Sequence, residues 1–278
     1  MSRLAPLARR LAPLARRLAP LGLLLAALGA GCKRQHITVS AVPELPYPSC
    51  PGDAGPPALL AEGSLRSGSN DTREPVVERF RIEKRGCLTA VTVRQEWEMQ
   101  LADIEVLYDE AGLPLRIWRR LTIPRDRRQD GHPDFKRFEF RTPELTVKHR
   151  GDTGEVDYEI LRLKKKPVAL IGPGRGLITM WIWRAHLAPG QKVREPALDF
   201  RGIERGEDVT LSRAPDQFVP SLKRIARVYI FYGHETVFAD DHDVVIGDLA
   251  GLVPDALADT PAPPPQPTYA PLDPVGTP

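Results

Sequence analysis

The sequence predicts a mainly β protein: a single antiparallel curved sheet or incomplete barrel, with one short helix packed against it. Three observations carry the prediction. Short runs of alternating apolar and polar residues recur between residues 75 and 254 at spacings of eight to twelve residues. Turn signals separate them, as at Arg85-Gly86 and Asp109-Glu110-Ala111-Gly112. A single segment, 176–187, keeps helical spacing instead. The 42% hydrophobic content is that of a folded chain and excludes wholesale disorder.

Residues 1–31 come first. LAPLARR at 4–10 repeats at 11–17, and the apolar run Leu18–Ala30 follows. About 13 residues are too few for a membrane-spanning helix, which takes roughly 20. A basic start, a short apolar core and small residues before a break make a secretory signal peptide. Its paired arginines lack the apolar residues that should follow in the twin-arginine route. Residues 32–74 form a proline-rich arm, with Pro43, Pro46, Pro48, Pro51, Pro56 and Pro57 opposing regular structure.

The body, 75–254, is one domain, large enough to bury roughly 70% of its unfolded surface. Val77–Ile82 alternates, and Cys87–Arg94 sets Thr89, Val91 and Val93 on one face. Ile104, Val106 and Tyr108 lead through the glycine turn into Leu115, Ile117 and the run to Ile123, a hairpin. Phe135–Arg141, Glu144–Val147 and Val156–Leu163 add short strands, and Ile225–Tyr232 and Val237–Ile246 close the set. In GLITMWIWRAHL, Leu177, Met180, Trp181 and Arg184 share helical spacing, and Ile178, Ile182 and Ala185 line a neighbouring face. The segment reads as a core helix, a mobile lid over an apolar ligand, or a central strand. A proline-rich tail occupies 255–278, and eight prolines fall within 261–278, a polyproline II composition. It suits a spacer, a docking peptide or a solvated terminus.

Gly29-Ala30-Gly31-Cys32 resembles the lipobox of bacterial lipoproteins. The resemblance implies lipidation of Cys32, which becomes the mature N-terminus, and Lys33 after it leans toward the outer membrane. The alternative is ordinary secretion. Removing the five leader arginines leaves 34 basic and 36 acidic residues, so the net charge of +3 becomes −2. That balance argues against a nucleic-acid partner. Cys50 and Cys87 then remain as an even pair, a disulfide in an oxidising compartment or else two buried thiols. The YDEAGLPL hairpin at 108–115 and the segment ending Trp183-Arg184-Ala185-His186-Leu187-Ala188-Pro189-Gly190 look like an uncharacterised family of bacterial periplasmic proteins. More remotely, the body is similar to the lipoprotein carriers LolA and LolB. That resemblance implies a curved antiparallel sheet closed by a helix over an apolar cavity.

No nucleophile elbow, zinc-protease, P-loop or dinucleotide motif is present, and no cofactor is indicated. Gly172–Gly176 reads as a turn. His234-Glu235 and Asp240–Asp243 are the best polar constellation. His234, Asp241 and His242 are candidate metal ligands, against the reading that 239–243 is a turn between two strands. Arg116, Arg119, Arg120, Arg125, Arg127 and Arg128, and separately Lys164–Lys166, suit anionic headgroups or a solvated face. Met180, Trp181, Ile182 and Trp183 are the candidate lining of a ligand cavity. The leading expectation is a non-enzymatic lipoprotein of the cell envelope. It would be held to the membrane by its lipid anchor, facing the periplasm or exterior, and would bind an apolar small molecule or an envelope protein. The alternatives are a metal-dependent envelope hydrolase and a structural component of an envelope assembly.

Overall fold

The alternation of the sequence becomes fifteen strands in a computed structural model. It describes residues 48, 50, 56–68, 75–98, 100–122, 135–141, 144–150, 156–163, 165–172, 174–198 and 208–258. The signal peptide, Cys32 and the tail beyond Ala258 lie outside these residues. No helix among the described residues is long and apolar enough to cross a membrane.

The first sheet is a meander. β1 (Ala58–Ser67), β2 (Val76–Arg85), β3 (Leu88–Trp97), β4 (Leu101–Tyr108) and β5 (Pro114–Thr122) pair in chain order. They are followed by β6 (Phe135–Arg141), β7 (Glu144–Arg150) and β8 (Val156–Arg162). Each pairs antiparallel with the next. The last strand, β15 (Leu252–Pro254), pairs with the end of β1 and makes the sheet nine-stranded.

The second sheet contains β9 (Val168–Ala169), β10 (Lys192–Leu198), β11 (Asp208–Val219), β12 (Arg224–Phe231), β13 (Glu235–Ala239) and β14 (Val245–Asp248). Its one parallel pair, β9 with β10, is bridged by helix α1 (Arg175–Ala185). The expected single sheet is therefore two. Period-2 alternation fixes which face of a strand is buried, but not which strands share a sheet. Here the β9–α1–β10 crossover starts a second layer.

The helix explains why two layers are needed. Leu177 and Met180 belong to a core with Phe80, Ile82, Val91, Val93, Ile104 and Ile117 of the first sheet. Ile178, Trp181 and Ile182 belong to a second core with Leu211, Tyr229, Phe231 and Val237. A helix apolar on all sides must be covered on all sides. Each large buried side chain contributes about 1.5–3 kcal/mol. The helix ends where His186 turns left-handed (φ 45°) and its N–H returns to the Ile182 carbonyl, before Pro189-Gly190.

β1 lies within the expected arm, so regular structure begins before residue 75. The staple between arm and body is present: Cys50 and Cys87 form a disulfide with Cα atoms 5.6 Å apart. The expected tail also starts late. Asp255–Leu257 is a 3-10 turn, and Asp255 accepts hydrogen bonds from Ser64 and from Arg66 Nε at 2.5 Å.

Candidate functional site

Strand alternation turns most apolar residues of β1–β5 to the helix, with Glu78 and Gln95 among them, and leaves a mainly polar outer face. The register then lines up two outward rows. One runs Glu62, Arg81, Thr92, Glu105, Trp118. The other runs Ser64, Arg79, Arg94, Asp103, Arg120. Nine of these ten residues line an open cleft of about 680 Å³.

Ion pairs hold the cleft. Arg79 Nη1 donates to Glu96 Oε1 at 3.0 Å, and Arg94 Nε to the same oxygen at 3.1 Å. Arg94 Nη1 also stands 3.6 Å from Asp103. Arg81 Nε donates to Glu83 at 2.6 Å, and Arg85 bridges Glu83 at 3.0 Å and Glu105 at 3.4 Å. The Arg85 and Arg81 hydrogen bonds hold the Glu83 carboxyl below its ordinary value, against the opposing effect of desolvation. Burial lifts the Asp103 carboxyl above its ordinary value, with Arg94 and Arg120 opposing. Three arginines and three carboxylates line the cleft, so it carries little net charge. Such a surface offers forked donors, acceptors and the indole of Trp118 to a ligand. Ser64 in its lining donates to the Asp255 carboxylate, which Arg66 also engages.

A second polar cluster is internal. Arg175, Glu78 and Asp248 are 5%, 0% and 6% exposed. Glu78 Oε1 accepts the Arg175 backbone N–H at 2.5 Å, in place of a side-chain cap at the helix start. Glu78 Oε2 accepts from Gln95 Nε2 at 2.8 Å and Arg175 Nη1 at 3.3 Å. Arg175 Nη2 donates to Asp248, whose other oxygen takes the Gly251 and Leu252 N–H groups at 3.0 and 2.9 Å. Burial alone would lower the Arg175 value, but Glu78 and Asp248 more than offset it and hold it raised. The cluster ties β2, β3, α1 and β14 together and is closed to solvent, so it is a clasp rather than a site.

The residues marked out in the sequence are dispersed. Trp181 and Ile182 are buried in the second core, and Trp181 Nε1 donates to Glu195 at 2.7 Å. Trp183 Nε1 donates to the His242 carbonyl at 2.9 Å. Met180 and Trp183, without Trp181 or Ile182, reach a smaller pocket of about 340 Å³ beside Thr89, Arg184 and His186. His234 sits in the β12–β13 turn, its Nδ1 2.9 Å from the Tyr232 carbonyl. Asp241 is exposed, 3.8 Å from Arg224, and Asp240 Oδ1 accepts the His242 N–H in a turn between β13 and β14. Among the described residues no three His, Cys, Asp or Glu side chains gather to hold a metal. His234, Asp241 and His242 are therefore not brought together.

The cleft was missed in the sequence: of the basic group Arg116, Arg119 and Arg120, only Arg120 falls in a row, and none of the three lines the cleft. The signal was present as polar pairs two residues apart on five strands: 62/64, 79/81, 92/94, 103/105 and 118/120. Only the register makes rows of them.

Fold and cleft together define a two-sheet β domain with an open, charge-balanced face. No family model and no curated protein matches the chain. Among solved structures it is similar to a DUF1089 family protein from Pseudomonas aeruginosa, at 13% identity and a TM-score of 0.33. The likeness covers 73% of this chain and 95% of that one.

Proposed function

We propose that the chain is a lipid-anchored cell-envelope protein whose β domain is a non-enzymatic binding module, with its ligand held on the outward face of β1–β5. The cleft of about 680 Å³ carries the reading. Its side chains are pre-positioned by ion pairs, so little ordering is lost when a ligand arrives. The mixed charges suit a polar partner, such as a segment of an envelope protein, more than an apolar molecule. The packing of Trp181 and Ile182 in the core weighs the same way. Export and lipidation rest on the signal-like segment 1–31 and on Cys32.

Two experiments test this. Metabolic labelling with an alkyne fatty acid should mark the wild-type chain and not Cys32→Ser, which should leave the membrane fraction. Equal labelling of both would refute the anchor. Photo-crosslinking from position 92, which also lines the cleft, should capture an envelope component in cells, and Arg81→Glu with Arg94→Glu should abolish the capture. Capture unchanged by the charge reversals would refute the cleft.

A further inference from the structure

The β11–β12 hairpin breaks the rule that exposed strand positions are polar. Phe218 and Ile225 face each other across the two strands. They are 63% and 67% exposed. Their neighbours Val219 and Ala226 turn the other way, into a small core with Leu222, Val228, Phe238 and Val253. That core is already filled, so folding gives no reason for two further apolar side chains outside it.

The chain itself supplies an occupant. Ala258, where the described fold ends, packs against this same small core. The described chain therefore ends against the hairpin, on the face opposite the Phe218–Ile225 pair, and residues 259–278 would have to pass round it. Polyproline II has three residues per turn. In that conformation Tyr269, Leu272 and Val275 share one face. Residues 259–278 carry Asp259 and Asp273 and no lysine or arginine. The exposed hairpin tip carries Lys223 and Arg224, the latter 3.8 Å from Asp241. About 3.1 Å per residue lets the eleven residues from Ala258 to Tyr269 span up to roughly 34 Å, ample for a target this close.

We propose that the tail docks in cis on the Phe218–Ile225 pair, laying its Tyr269–Leu272–Val275 face across the hairpin. Proline-rich segments bind aromatic surfaces because their extended form is already ordered and loses little entropy. Tethering places the tail at a millimolar effective concentration, so a contact weak in trans is populated in cis. The proposal does not depend on the lipid anchor or on the cleft.

The test compares residues 33–278 with residues 33–258, at which point the described strands are complete. Amide spectra of the two proteins should differ at the β11–β12 hairpin. A peptide of residues 259–278 should bind the shorter protein and reverse those differences. Phe218→Ser with Ile225→Ser should weaken the peptide at least tenfold, as should Tyr269→Ser in the peptide. Leu249, 65% exposed, lies beside Thr236, near the other end of β12. Leu249→Ser should bind the peptide as wild type does, which separates this surface from general stickiness. Identical hairpin spectra with and without the tail would overturn the proposal and leave the pair for a partner outside the chain. Equal peptide binding by the double variant would overturn it as well. Both substituted side chains are exposed, so the fold should survive, and unchanged amide dispersion checks that.

Discussion

Replacing Arg175 by methionine separates a structural clasp from a solvated site. The substitution keeps length and apolar bulk but leaves Glu78 and Asp248, at 0% and 6% exposure, without their cation. Removing one partner from a buried ion cluster costs about 3–5 kcal/mol, because the remaining charges stay desolvated. For a domain of this size each kcal/mol lowers Tm by about 2–4 °C, giving a drop of roughly 6–20 °C. Urea unfolding followed by tryptophan emission measures it, since Trp181 and Trp183 lie on the same helix. The sign of the pH dependence is a second check. A buried carboxylate without a cation escapes its cost by binding a proton, so the variant should gain stability relative to wild type as pH falls from 7 toward 5. A loss under about 1 kcal/mol, or a gap that widens in acid, would show that water screens the cluster and refute the clasp.

Three other perturbations follow from the packing. Cys50→Ser opens the link across 37 residues and should cost about 3–4 kcal/mol in the chain-entropy account, read by urea unfolding with and without reductant. Gly247→Ala would bring a methyl within 2.6 Å of the Leu252 carbonyl oxygen, which is backbone and cannot swing away, so about 1–3 kcal/mol should be lost. Asp255 is raised by desolvation but lowered more by hydrogen bonds from Ser64 and Arg66, for a net value below 3.8. Its contribution is thus present above about pH 4 and lost as pH falls through the lowered value. Asp255→Asn should lower Tm at pH 7, and the difference from wild type should vanish near pH 2.

Much of the first sheet was legible because its strands obey one rule. β2 alternates and β3 to β5 do so in part, and the Asp109–Gly112 turn between two of them is fixed by Asp109, whose Oδ1 accepts the Ala111 and Leu113 N–H groups. The turn at 239–243 was legible for the same reason, since Asp240 Oδ1 holds the His242 and Val244 N–H groups. β1 was hidden by its composition: ALLAEGSLRS has no β-branched residue and follows Pro56-Pro57. β10 and β11 were hidden by Pro196 and Pro215, which local signals read as breaks. Pro215 falls at an irregularity between Ala214 and Gln217, where the ladder tolerates it. In the second sheet the runs Ile225–Tyr232 and Val237–Ile246 were legible as strands, but not that they belong to a sheet of their own, because pairing across a crossover leaves no mark in local periodicity.

The same limit explains why the sequence directed attention to the helix and away from the cleft. Clustered tryptophan and methionine stand out locally, but a segment flanked by two sheets needs such residues merely to be covered. A binding face built from rows leaves only one or two polar residues on each strand, and every strand alone reads as an ordinary solvated edge. In the folded chain Glu62–Arg81, Arg94–Asp103 and Asp103–Arg120 are opposite charges in register, pairs of a kind that stabilise a sheet by about 0.2–1 kcal/mol each, while Arg79 and Arg94 stand opposite each other and share Glu96. Stability alone would be served by any complementary order, and it does not call for a tryptophan between Glu105 and Arg137 in a charged row. Trp118→Thr is therefore the discriminating substitution. It keeps strand propensity and leaves the ion pairs in place, so a purely structural face should retain its Tm and its partner. A binding face should retain Tm within about 2 °C, roughly 0.5–1 kcal/mol at this size, yet lose its crosslinked partner. Retention of the partner would return the rows to the role of sheet stabilisers.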